Sequence, residues 1–126
     1  MNKLLLVLLG GAIGTGFRFG VNYLVAAWLG QPPKFPYATF LINITGSLLI
    51  GFLAEWFDAR TAVSPELRAM LLVGVLGGYT TFSSFSLETL NLIRDSKPGA
   101  ALLYSAGSVV LGLAATWAGV QLARMM

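Results

Sequence analysis

The 126-residue chain contains no cysteine and no histidine. Without cysteine there is no disulfide framework, no thiolate zinc site and no cysteine nucleophile. Without histidine the commonest transition-metal ligand and the commonest general base near neutral pH are both missing, so an enzyme is not the expectation. Charge is scarce as well, at 10% of residues against 56% hydrophobic. A soluble domain of this length needs far more charge to coat its surface. The eight Lys and Arg residues, giving a net charge of +3, form no basic block, which argues against a nucleic-acid partner. What remains is the composition of an integral membrane protein whose surroundings are a lipid bilayer.

The opening "MNKLLLVLLGGA" imitates a signal peptide. Apolar sequence continues to Trp28 and the remainder is itself membranous, so the expectation is a retained first span. A helix crossing roughly 30 Å of hydrocarbon needs about 20 mainly apolar residues. Segments at about 4–28, 37–56, 67–93 and 100–122 meet that length. The expectation is an all-α membrane protein, a single four-helix transmembrane domain over residues 1–126. Between the spans lie "GQPPKFP", which three prolines keep from being helical, the polar "DARTAVSPE", and "RDSKPG". Ser64-Pro65 has the form of an N-cap followed by proline at the first helical position.

An even number of spans puts both termini on one side, with Lys3, Arg60, Arg68 and Arg124. The other side holds Lys34, Arg94 and Lys97, plus Arg18 if it reaches that interface. So small a bias sets no orientation by the positive-inside rule. Two readings follow: a single loop charge decides the topology, or the chain inserts both ways round and pairs as an antiparallel dimer.

Polar residues lie inside the apolar spans. Thr39, Asn43 and Ser47 recur every four residues and share one helix face. Tyr104, Ser108 and Thr116 fall on another such row, with Gly112 at the missing step. The third span carries Thr80, Thr81, Ser83, Ser84 and Ser86. One such residue is ordinarily satisfied by its own helix or a neighbour. Rows on three spans call for water, protein or a ligand, because an unpaired hydroxyl in an apolar medium costs several kcal/mol. Glu55 and Glu66 flank a loop and Glu88 lies in the last third of the third span. With no carboxylate at mid-membrane depth, a cation path or proton-driven exporter is disfavoured. Hydroxyl and amide donors together with Arg18 lean towards an anion. Phe82 and Phe85, three apart, project to one side, and an aromatic edge is electropositive; plain packing is the alternative. Gly77-Gly78 favours a break in the third helix near Gly77–Thr80, which would free backbone groups to bind an ion or simply kink the helix. Gly10, Gly14, Gly16, Gly20, Gly107, Gly112 and Gly119 are read as helix-packing positions.

Three motifs, "GGYTTFSSF" (77–85), "NITG" (43–46) and "GTGFRF" (14–19), together resemble the Fluc family of fluoride channels, also called CrcB. The likeness spans essentially the whole chain, and the third-span signature is the specific part. It implies an antiparallel, dual-topology homodimer with two fluoride pathways at the subunit seam, exporting fluoride passively across a bacterial cytoplasmic membrane. By matching position, Phe82 and Phe85 would be edge-on aromatics and Asn43 a pore-lining donor beside them. Thr39, Ser83, Ser84, Tyr104 and Ser108 would belong to a polar track, and Arg18 to an aqueous vestibule. Gly77 and Thr80 match positions whose carbonyls hold a structural, untransported sodium ion. Ser84 stands where threonine is common, and Gly112 brings no hydroxyl, which puts an extension of the track to Thr116 in question. The competing readings are a small proton-coupled multidrug exporter, which needs a buried carboxylate that the first span lacks, and a non-transporting tetraspan accessory subunit.

Overall fold

A computed structural model describes residues 2–30, 35–60 and 62–126. The Pro32-Pro33-Lys34 part of the first connection lies outside the described residues. Helix α1 covers Lys3–Leu29 and begins where the Asn2 side chain accepts from the Leu4 N–H. Helix α2 covers Tyr37–Asp58. The third span opens at α3, Pro65–Ala69, where Ser64 caps the Leu67 N–H and proline occupies the first turn. It widens into a π-helical stretch, Met70–Val75, then narrows to α4, Leu76–Tyr79. Helix α5 runs over Phe82–Arg94 and α6 over Pro98–Arg124. Among the described residues there are thus four helical segments long and apolar enough to cross a membrane.

Between α4 and α5 the backbone is extended at Thr80 (φ −78°, ψ 161°) and Thr81 (φ −152°, ψ 120°). Gly77 and Gly78 themselves are helical. The service Gly78 performs is close approach: a Cβ there would lie 2.5 Å from the Gly11 carbonyl oxygen of α1.

The spans pack in two pairs, α1 against the third span and α2 against α6. In lipid there is no hydrophobic force between helices, so close van der Waals contact holds them. A Cβ on Gly10 would stand 2.5 Å from the Met70 carbonyl oxygen, and one on Gly14 would overlap the Val75 carbonyl. Across the other pair, a Cβ on Gly51 would overlap the Thr116 carbonyl and one on Gly119 the Leu48 carbonyl. Gly16 and Gly20 face open space, with nothing within 4 Å, so only part of the glycine pattern serves packing within one chain. The small buried cluster of Leu92, Ala101 and Tyr104, with Phe35, Phe40, Phe85 and Ala100 against it, ties α5 to α6 at one end. Outward-facing Leu8, Phe19, Trp28 and Val110 are exposed, as a lipid-facing surface requires.

Candidate functional site

The extended residues create the site. At α4's end Thr80 N–H and Thr80 Oγ1 both donate to the Leu76 carbonyl, at 2.9 and 2.8 Å. A continuous helix would send the Thr81 N–H to the Gly77 carbonyl. That N–H donates instead to Asn43 Oδ1 at 2.9 Å, and Asn43 Nδ2 donates back to the Thr81 carbonyl at 3.0 Å. The Ser84 N–H, which helical continuation would direct to the Thr80 carbonyl, goes to Thr81 Oγ1 at 3.2 Å as the N-cap bond of α5. Gly77 and Thr80 therefore both lose their helical donors, and their carbonyls are left to other partners.

Helix α2 grips three successive residues here. Asn43 holds Thr81 through those two bonds. The Thr45 hydroxyl and the Tyr79 hydroxyl are 2.9 Å apart. Thr45 Oγ1 already directs its proton to the Leu41 carbonyl at 2.7 Å, so Tyr79 is the donor of that pair. Gly46 leaves room for the Thr80 methyl, which a Cβ would overlap. The "NITG" segment is thus the cradle of the extended turn.

Beside the turn lies a groove of about 320 Å³, lined among others by Asn43, Ser47, Gly77, Thr80, Thr81, Phe82, Phe85 and Ser108. Residues from three spans, singled out from sequence, meet on one surface. The Phe82 ring is 79% exposed, while Phe85 is half-buried, with ring centroids 5.7 Å apart and planes tilted by 44°. Behind Phe85 stands Tyr104, fully buried, centroid to centroid 5.2 Å. The hydroxyls of Tyr104 and Ser108, one helical turn apart on α6, are both buried without a hydrogen-bond partner among the described residues. The Tyr104 hydroxyl stands beside that of Thr39, which leaves Ser108 as the clear orphaned donor; such a group is costly in these surroundings, and it lies on the row that the sequence marks.

Other expected residues stand elsewhere. Thr39 is buried and its hydroxyl donates to Glu88 Oε1 at 2.7 Å, so it has no free proton to offer an anion. Ser83 is exposed, with its hydroxyl 3.4 Å from that of Thr81. Half-buried Ser84 contributes its backbone to the cap. Arg18, half-buried on α1, is not among the groove's lining residues, and its carbonyl accepts from Asn22 Nδ2 at 2.9 Å. Thr116 donates to its own helix at the Gly112 carbonyl, 3.0 Å away. Glu88, Thr81 and Gly46 are noted in the sequence without being assigned a role at the site, and the structure gives each one a contact there. The i,i+2 offset from Thr81 to Ser83 and the four-residue helical step do not reveal contacts made between spans.

The model of the CrcB-like protein, Camphor Resistance (CrcB), family matches residues 5–120. Among curated proteins, a "Fluoride-specific ion channel FluC" of Caulobacter vibrioides is 51% identical, covering 98% of this chain and 97% of the relative. One of Rhizobium meliloti is 47% identical, covering 100% and 99% respectively. One of Nitrobacter winogradskyi is 46% identical, covering 98% and 96%.

Proposed function

The chain belongs to the CrcB-like family, and from that premise we propose that it is a fluoride-selective channel, conducting fluoride passively out of a bacterial cell across the cytoplasmic membrane. The observation that carries this reading is the groove, where Asn43, Ser108, Phe82 and Phe85 converge on one surface of a membrane protein. Fluoride is small and strongly hydrated. A path for it has to replace water with close donors and avoid a full positive charge that would trap it. The unpartnered Ser108 hydroxyl, the Tyr104 hydroxyl, the second N–H of the Asn43 amide and the ring edges of Phe82 and Phe85 supply such donors.

The groove is open on one side and Phe82 stands out from it. A second copy of the chain, inserted the opposite way round, would close each groove into a corridor, giving an antiparallel homodimer with two paths. The near-even charge on the two ends supports insertion in both orientations. In this reading the interruption at Thr80 and Thr81 is the functional break of the third helix.

A structural sodium ion fits the same break. The Gly77 and Thr80 carbonyls, deprived of their helical donors, are hard oxygen ligands of the kind that suits such a cation. Bound there, sodium would supply positive charge to offset the clustered carbonyl dipoles. What the chain contributes is the aim of those carbonyls, fixed by Asn43 and the Thr81 cap.

The experiment is fluoride efflux from liposomes followed with a fluoride electrode, with chloride as comparison. Fluoride flux without chloride flux is expected. Protein that passes neither ion favours the accessory-subunit reading, and flux that follows an imposed proton gradient favours the exporter. Phe82→Ile or Phe85→Ile should sharply reduce fluoride flux in a protein that still assembles; undiminished flux removes both rings from the path.

A further inference from the structure

The row of hydroxyls on α6 is interrupted, and α2 stands opposite the gap. Tyr104, Ser108 and Thr116 keep the four-residue step, but Gly112 carries no side chain. Its carbonyl is the acceptor that holds the next hydroxyl of the row: Thr116 Oγ1 is committed to it at 3.0 Å. The row therefore does not extend beyond Ser108 along α6. Directly at the gap lies another hydroxyl. A Cβ built on Gly112 would meet Ser47 Oγ at 3.6 Å and nothing nearer. Ser47 is on the same face of α2 as Asn43, one turn further on, and both line the groove with Ser108, Phe82 and Phe85.

The membrane hydroxyls of this chain divide by what they bond. Thr45, Thr80, Ser86, Thr89, Ser105 and Thr116 donate to the carbonyl four residues back on their own helix. Ser47 and Ser108 are absent from that set, and both face the groove. Helix packing brings them there: α2 and α6 touch at glycine contacts that lie beyond this level on its C-terminal side, Gly51 against Thr116 and Gly119 against Leu48. A Cβ at Gly112 would touch the Ser47 hydroxyl at ordinary van der Waals distance, so that hydroxyl lies against the gap in the α6 row and the site can take a small side chain.

We propose that Ser47 is a further anion-contacting residue of the path, supplying across the helix pair the hydroxyl that α6 lacks at Gly112. The donor track then runs from Tyr104 and Ser108 on α6 over to Ser47 on α2, beside Asn43, and Thr116 takes no part. This inference rests on the channel reading above.

The test relocates the hydroxyl. Ser47→Ala should lower fluoride efflux from liposomes by about tenfold or more, the loss of a hydrogen bond to a charged partner. Ser47→Cys, a slightly larger side chain with a weaker donor, should fall between. Adding Gly112→Ser to the Ser47→Ala protein puts a hydroxyl back from the opposite helix and should restore most of the flux, whereas adding Gly112→Ala should not. Full flux in Ser47→Ala overturns the proposal. So does a loss that Gly112→Ser fails to repair, or one that Gly112→Ala repairs equally well, since the latter would show that filled volume is what matters. An unsubstituted protein that carries no fluoride defeats the channel reading and this inference together; an active one with an indifferent Ser47→Ala defeats the inference alone.

Discussion

Asn43 and Thr81 are joined reciprocally: the side-chain amide of one accepts from and donates to the backbone of the other, at 2.9 and 3.0 Å. An asparagine side chain has the same donor and acceptor pair as a peptide group. Here it takes the place of the helical neighbours that Thr81 gives up. The extended residues of the third span are thereby tied to α2, and with them the position of Phe82, the next residue. Replacing Asn43 by Leu strands the Thr81 N–H and carbonyl together. Each buried group left unpaired costs about 1–3 kcal/mol, so a clear drop in the thermal unfolding temperature in detergent is expected. Asn43→Asp keeps the acceptor for the Thr81 N–H and removes the donor, and its midpoint should fall between the two.

The Thr45–Tyr79 pair secures the residue before the break. Tyr79→Phe removes one hydroxyl and Thr45→Val removes the other, each at a cost of about 0.5–1.5 kcal/mol. Both delete the hydrogen bond between the two hydroxyls, and Thr45→Val also loses the bond to the Leu41 carbonyl, so the double variant should be scarcely less stable than Thr45→Val alone. Additive losses in unfolding midpoint would show that the two hydroxyls act separately.

Glycines of α1 that look equivalent in sequence should respond in opposite ways. Gly14→Ala drives a methyl group into the Val75 backbone, which cannot move aside as a side chain tip can. Overpacking of this kind costs about 1–3 kcal/mol. Gly16→Ala adds its methyl to open space and gains helix propensity of about 1 kcal/mol or less. Unfolding measured on the two variants should separate them, with Gly14→Ala lowered and Gly16→Ala unchanged or slightly raised, unless the open face of Gly16 is covered by a second copy.

On α6 two hydroxyls eight residues apart should differ in transport. Thr116 is satisfied by its own helix, and Thr116→Val should leave fluoride efflux near its original rate. Ser108 has a buried hydroxyl with no partner among the described residues, and Ser108→Ala should cut efflux by about tenfold. Equal effects at both positions would mean that hydrogen-bond status does not mark the path.

Sodium supplies a prediction of another kind. On the proposal that sodium sits at the Gly77 and Thr80 carbonyls, replacing it on both sides of the membrane by a large organic cation should slow efflux and lower thermal stability, because those carbonyls would lose the charge proposed to compensate them. Efflux and stability indifferent to the exchange would remove sodium from the break.

Much of this was legible without coordinates. Apolar runs separated by proline and charge fix the four spans, since a bilayer demands about 20 apolar residues for each crossing, and Ser64-Pro65 announces the start of the third. The unusual run 77–85 and the four-residue polar rows pointed to the groove because hydroxyls have no cheap place in lipid. Less legible was what each polar group bonds. Thr39 and Ser108 look alike in a row, yet one is spent on Glu88 and the other has no partner among the described residues.

The sequence by itself determined that this chain crosses a membrane, where its helices lie, and which residues are too polar to face lipid, because those properties follow from composition and local period. Tertiary structure alone decided where the extended residues fall, at Thr80 and Thr81 and not at the paired glycines, because a distant amide, Asn43, is needed to replace the lost backbone bonds. It also decided that Ser47 stands against Gly112. Contacts between spans depend on how closely two helices approach, and that distance is set by glycines lying on separate segments of the chain.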